Sequence, residues 1–152
     1  MKARCHWHAV LLTAIVLVGC SSTPPPGGAR VKTYPVTGIV HVDGKPTAGV
    51  LISFYPQENA AVKIQSTATT VEGGKFKPTT YVAGDGLAEG TYKLTFIKDE
   101  SEPSNMRDNA EFKDGLKGLY ADRTQSKFEF AVTKGGKNDF GVIELSTNEP
   151  GK

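Results

Sequence analysis

Proton transfer near neutral pH calls first for histidine, and the chain carries three, His6, His8 and His41. His6 and His8 precede an apolar run, so His41 is the one histidine beyond it. A Ser-His-Asp arrangement would have to be built on His41, which lies in the alternating stretch VTGIVHV beside Asp43-Gly44. A surface or edge histidine is the plainer reading of that context. Paired carboxylates suit acid–base work, but Asp85 with Glu89 and Asp108 with Glu111 fall in polar loops, where solvated charge explains them. A calcium site from Asp43, Asp85 or Asp139 lacks the acidic loop of fixed spacing that calcium needs. Gly84-Asp85-Gly86 is a turn and not a phosphate cradle, because no strand-to-helix transition and no Lys-Ser pair follow it. The expectation is a protein that is not an enzyme and holds no cofactor or metal.

Binding chemistry is better provided for. Beyond the apolar run there is no tryptophan, so the aromatic candidates are Tyr34, Tyr55, Tyr81 and Tyr120. A cluster of these rings with a polar rim would favour a glycan- or peptide-binding module, and scattered rings a passive domain. The formal charge is +2, and Lys2 and Arg4, ahead of the apolar run, carry the whole excess. A chain without residues 1–19 is therefore neutral, which argues against nucleic acid as a partner.

Where the chain lives is set by its beginning. Lys2 and Arg4 are followed by residues 9–18 (AVLLTAIVLV), ten residues broken only by Thr13 and closed by the small Gly19. This is the plan of a secretory signal peptide, and it is too short for a helix crossing a hydrocarbon core of about 30 Å. The segment Leu17-Val18-Gly19-Cys20 resembles the bacterial lipobox. The resemblance implies cleavage between Gly19 and Cys20 and lipidation of Cys20. Cys5 leaves with the leader, so no internal disulfide can form, and an acylated Cys20 joins neither a disulfide nor a zinc site with His41. Ser21, where inner-membrane lipoproteins often carry Asp, implies the outer membrane rather than the inner one. Residues 20–33 then form a Pro/Gly-rich disordered tether, able to lift a domain up to about 40 Å at about 3 Å per residue.

From Tyr34 onward the elements that must position any site alternate with period two. Val36, Gly38, Val40 and Val42 share one face, with Thr37, Ile39 and His41 on the other. Val50, Ile52 and Phe54 oppose Leu51, Ser53 and Tyr55; Tyr92, Leu94 and Phe96 oppose Lys93 and Thr95. Asp43-Gly44 is a turn, and hairpins are expected at Glu72-Gly73-Gly74 and at Gly135-Gly136. Gly141, where the apolar phase shifts, marks a bulge. Phe54, Phe76, Phe96, Phe128 and Phe130 are expected in the core. Tyr92 has the setting of a tyrosine corner, its hydroxyl bonded to nearby backbone. Residues 99–120 break the pattern as a polar insertion, with Phe112, Leu116, Leu119 and Tyr120 spaced for a short helix.

The string V-x-G-x-V-x-V-D-G-K-P-x-A-G (residues 36–49), with VLISF, GGKF, T-T-Y-x-x-G-D-G, GTYKLTF and LYAD, is similar to bacterial lipoproteins bearing a carboxypeptidase-regulatory-like, or transthyretin-like, domain. The resemblance implies an all-β fold, a small antiparallel seven-stranded β-sandwich of Ig-like architecture over residues 34–146, with a tail at 147–152. It also implies support or binding rather than catalysis. The sequence as a whole predicts a non-catalytic, lipid-anchored protein of the cell envelope, acting as a structural or protein-interaction module. Its partners would be the membrane, through the lipid, and an envelope protein or polysaccharide. The alternative expectation is a ligand-binding module for envelope polysaccharide or peptide.

Overall fold

A computed structural model describes residues 30–100 and 112–148. The leader with Gly19, then Cys20, the first ten residues of the tether, Asp108, Glu111 and residues 149–152 lie outside the described residues.

Among the described residues ten short strands form: β1 (Thr33–Tyr34), β2 (Val36–Val42), β3 (Lys45–Pro46), β4 (Val50–Pro56), β5 (Ser66–Thr69), β6 (Lys75–Phe76), β7 (Leu87–Ala88), β8 (Gly90–Lys98), β9 (Glu129–Val132) and β10 (Asn138–Leu145). The fold is mostly β, and among the described residues there is no α-helix, only a 3₁₀ turn at Glu72–Gly74. One sheet runs β5-β4-β8-β9, antiparallel throughout; a second has β2 at its centre, flanked by β10 on one side and by β3 and β6 on the other; β1 and β7 form a small third pair.

Alternation explains the strands. On β2, Val36, Gly38 and Val40 are buried, and on β4 and β8 so are Val50, Ile52, Phe54, Tyr92, Leu94 and Phe96. The two large sheets meet through these faces: Phe54 of the first lies 6.1 Å from Phe76 of the second and 6.5 Å from Phe140. Each fully buried Phe or Leu contributes about 1.5–3 kcal/mol relative to exposure. Phe54, Phe76 and Phe96 are core, whereas Phe128 and Phe130 pack half-buried against it. Asp43 (φ 51) and Gly44 (φ 74) both take left-handed angles in the β2–β3 turn, the geometry for which Asp-Gly is favoured. The register of β10 slips between Asp139 and Val142, placing the bulge at Gly141.

Several expectations are corrected. The described residues hold ten strands against the seven expected, because short pairs such as β1–β7 and β2–β3 carry too little alternation to register as strands. The sheets are not wholly antiparallel: β10 lies parallel to β2. The Gly135-Gly136 turn does not close a hairpin, since β9 joins β8 while β10 crosses to the opposite sheet. The Asn138 side chain accepts from Thr133 N at 3.0 Å and donates to Thr133 O at 3.2 Å, holding this crossing. The Glu72-Gly73-Gly74 turn is closed as expected, Val71 N donating to Lys75 O at 2.8 Å and Thr67 and Thr79 exchanging backbone hydrogen bonds beyond it, while Lys75–Phe76 takes β2 as its strand partner.

The predicted helix near Leu116 is instead a chain of turns. Lys117 (φ 57) and Gly118 (φ 73) are left-handed, which no α-helix accommodates. Asp114 replaces helical bonding by accepting from the amides of Leu116 and Gly118 at 2.9 Å each. Of the four apolar residues expected to bury themselves there, Leu116 is fully buried, Leu119 and Tyr120 are half-buried, and Phe112 is 59% exposed.

Candidate functional site

His41 is held by a carboxylate. It projects from the outward face of β2, and its Nδ1 lies 2.8 Å from Glu144 Oε1 on the neighbouring β10, its direct register partner. A histidine oriented by a carboxylate is two parts of a catalytic triad. The nearest hydroxyl in sequence beyond the turn, Thr47, donates to the carbonyl of Lys45 at 2.8 Å. The pair acts as a clasp between two strands.

The carboxylates weighed for calcium are kept apart and separately engaged. Asp43 accepts from the Ser146 hydroxyl and the Thr147 amide, at 3.0 Å each, and from the Thr147 hydroxyl at 2.7 Å. The Thr147 hydroxyl, then its amide and the Ser146 hydroxyl, hold the Asp43 carboxyl below its ordinary 3.8. Asp85 accepts from the amides of Thr80, Tyr81 and Val82, closing the loop that ends at Gly86. Asp139 accepts from Gly141 N at 3.0 Å inside the bulge. Among the described residues no group of three His, Cys, Asp or Glu side chains is placed to hold a metal ion.

The four tyrosines have different partners. Tyr34 lies on β1, with Lys32 Nζ 5.6 Å from its ring centroid. The Tyr81 hydroxyl accepts from Val31 N at 3.3 Å, so these two serve the segment where the chain enters the fold. Tyr120 turns inward onto Phe96 and Phe128, and its hydroxyl bonds to Ser146. Tyr55 faces outward from β4 beneath Arg123, 5.5 Å from its ring, and borders a cleft of about 290 Å³ with Gln57, Lys93 and Thr124. Tyr92 meets its expectation as a corner: its buried hydroxyl donates to Ala88 O at 2.9 Å, and burial raises its pKa to about 12.

The larger concavity lies elsewhere. A groove of about 620 Å³ is lined by Thr37, Gly38 and Ile39 of β2, Thr69 and Val71 at the end of β5, Lys75, Phe76 and Lys77, the loop residues Ala83 and Gly84, and Asp139 of β10. Its size falls within the range of ligand sites. The register builds the groove wall in rows: Asp139 beside Thr37, and Ile39 beside Lys75. Phe76 can lie against β2 because position 38 is glycine; a Cβ there would come within 2.6 Å of its Cζ. Lys75 and Lys77 are exposed on either side of buried Phe76, and the two ion pairs found among the described residues, His41–Glu144 and Lys98–Glu100, involve neither. None of the four tyrosines lines this groove. The sequence signal for it was the alternation in KFK, which marks two outward lysines; that Thr37, Val71 and Asp139 join them follows from strand register, which alternation does not encode.

Comparison with protein-family models, with curated proteins and with solved structures finds no match to this chain.

Proposed function

We propose that the protein is a non-catalytic component of a bacterial cell envelope, lipid-anchored through Cys20 after cleavage behind Gly19, whose two-sheet domain works as a protein-interaction module. On this reading the domain is a β-sandwich of carboxypeptidase-regulatory-like, transthyretin-like type, and the location is the outer membrane. The lipobox-like Leu17-Val18-Gly19-Cys20 and the motifs of residues 36–49 support the anchor and the family reading. The observation that carries the interaction role is the groove with Lys75 and Lys77, an exposed cationic and aliphatic surface assembled from five parts of the chain. By contrast, the groups suited to chemistry are used structurally: His41 clasps Glu144, and Asp43 and Asp85 organise backbone.

The test has two arms. Intact mass of membrane-extracted protein is expected to match residues 20–152 with a diacylglycerol and an acyl chain, and Cys20→Ser to lack them; an unmodified mass for the unaltered chain overturns the anchor. Cross-linking in whole cells, followed by mass spectrometry, is expected to join the domain to an envelope protein through peptides around Lys75 and Lys77. The Lys75→Glu/Lys77→Glu form is expected to lose that adduct. An adduct that forms equally well in the double variant overturns the groove as the interaction surface.

A second reading, a module for envelope polysaccharide or peptide, is favoured by one observation. The Tyr55 cleft gathers an aromatic ring, Arg123, Lys93, Gln57 and Thr124, a mixture suited to a polar ligand. A pull-down on isolated envelope glycans that fails with Tyr55→Ala and Arg123→Ala would favour it over the first.

A further inference from the structure

We infer that the Lys75–Lys77 groove recognises an extended acidic peptide segment of a partner protein, with carboxylates on alternate residues and small aliphatic side chains between them. The inference rests on the interaction-module reading above and names the partner chemistry. Lys75 and Lys77 alternate with buried Phe76 on an extended segment, so their stems leave the same face. Alternate residues on a strand repeat at about 6.7 Å. A partner strand carrying Glu or Asp at every second position repeats at the same interval and presents one carboxylate to each ammonium.

The rest of the lining selects a peptide over a glycan. Sugar platforms use exposed aromatic faces, and the one ring here, Phe76, is 2% exposed. Ile39, Val71 and Ala83 offer aliphatic surface instead, with Val71 61% exposed. Thr37 and Thr69 supply hydroxyls for backbone groups of a bound strand. Asp139 introduces one negative charge on the side of β10, where its carboxylate already accepts from Gly141 N. That end of the groove therefore disfavours a third carboxylate and fixes which way an acidic segment lies.

The experiment uses the full-length lipidated protein in neutral detergent and three blocked heptapeptides. One alternates Glu with Val and Thr, one carries Lys in place of every Glu, and one has the composition of the first with its Glu residues adjacent. Binding is followed by titration calorimetry and by amide shifts. The alternating acidic peptide is expected to bind at least about tenfold more tightly than the lysine peptide at low salt, and several-fold more tightly than the adjacent-Glu peptide. Its affinity is expected to weaken as ionic strength rises, because the lysines are exposed. Lys75→Glu/Lys77→Glu is expected to reverse the preference, and Asp139→Asn, which keeps the acceptor for Gly141 N, to tighten the acidic peptide. Lys75→Gln/Lys77→Gln, which adds no negative charge, serves as the milder second variant and is expected to abolish the preference without reversing it. Equal binding of acidic and lysine peptides, or an acidic preference that survives both lysine variants, overturns the inference. Whole-cell cross-linking separates the two failures: if the adduct depends on Lys75 and Lys77 while the acidic peptide shows no preference, the acidic-segment inference falls and the interaction module stands.

Discussion

The hydroxyl of Tyr92 donates to the carbonyl of Ala88 at 2.9 Å, and both residues have no exposed surface. This bond ties the start of β8 to β7 and so joins the small β1–β7 pair to the main sheet. Tyr92→Phe keeps the ring and removes the donor, leaving a buried carbonyl without its partner. The expected cost is about 1–3 kcal/mol, read as a lower urea midpoint at unchanged slope. Burial raises the Tyr92 pKa from 10.0 to about 12, so folding holds this phenol protonated where the unfolded chain releases it. The associated stability is complete below pH 10.0 and is lost as pH rises towards about 12. The gap between wild type and Tyr92→Phe should therefore narrow across that window; a gap that stays constant would contradict the assignment.

Phe130 of β9 and Phe140 of β10 stack at 4.3 Å with planes 11° apart, although their strands belong to different sheets. The stack spans the crossing that replaces the expected hairpin. In a double-mutant cycle with Phe130→Leu and Phe140→Leu, the coupling energy is expected at about 0.5–1.5 kcal/mol. Strictly additive losses would mean that the rings contribute only buried area.

Asp43 holds Ser146 and Thr147 across more than a hundred residues of sequence. Asp43→Asn keeps an acceptor but removes the charge, and the Thr147 amide is expected to exchange with solvent faster. Because these bonds lower the Asp43 pKa below 3.8, their contribution is present above that pH and is lost as pH falls through the lowered value. Wild type and Asp43→Asn should converge in Thr147 exchange under strongly acidic conditions and diverge above pH 3.8. Identical exchange at neutral pH would show that the strap is held without the carboxylate, by the Asp43 N to Leu145 O bond and by the Tyr120 hydroxyl on Ser146.

Much of the fold is written in period two. VTGIVHV, VLISFYP and GTYKLTFIK each assign an inward face that the structure keeps, although Ser53 and Thr95 on the opposite faces are buried as well, and Asp43-Gly44, Gly141 and Tyr92 each mark a local geometry that only certain residues support. Alternation says which side of a strand is buried and nothing about which strand lies beside it. The parallel β2–β10 pair and both sheet crossings were therefore illegible. Phe112, Leu116, Leu119 and Tyr120 show the opposite failure, a helical spacing overruled by left-handed angles at Lys117 and Gly118. The candidate site was legible only in part. Lys75 and Lys77 are visible as outward residues, but a groove that draws on Thr37 and Asp139 exists only once the strands are paired. Tyrosines suggested a binding face through residue type alone, and the fold sends Tyr120 inward and places Tyr34 and Tyr81 at the chain's entry.

The parallel partnership of β2 and β10 also sets a timetable. His41 and Glu144, facing each other across it, are 103 residues apart in sequence. During synthesis β2 emerges early and must wait for almost the whole domain before its neighbour arrives. Until then one long side of β2 offers unpaired backbone to any passing strand. Such a high contact order makes closure slow, and a nascent or truncated chain ending before Asn138 would keep that side open. How long that side must stay unpaired, until residues 138–145 are released, is then set by the topology rather than by the sequence of any one strand.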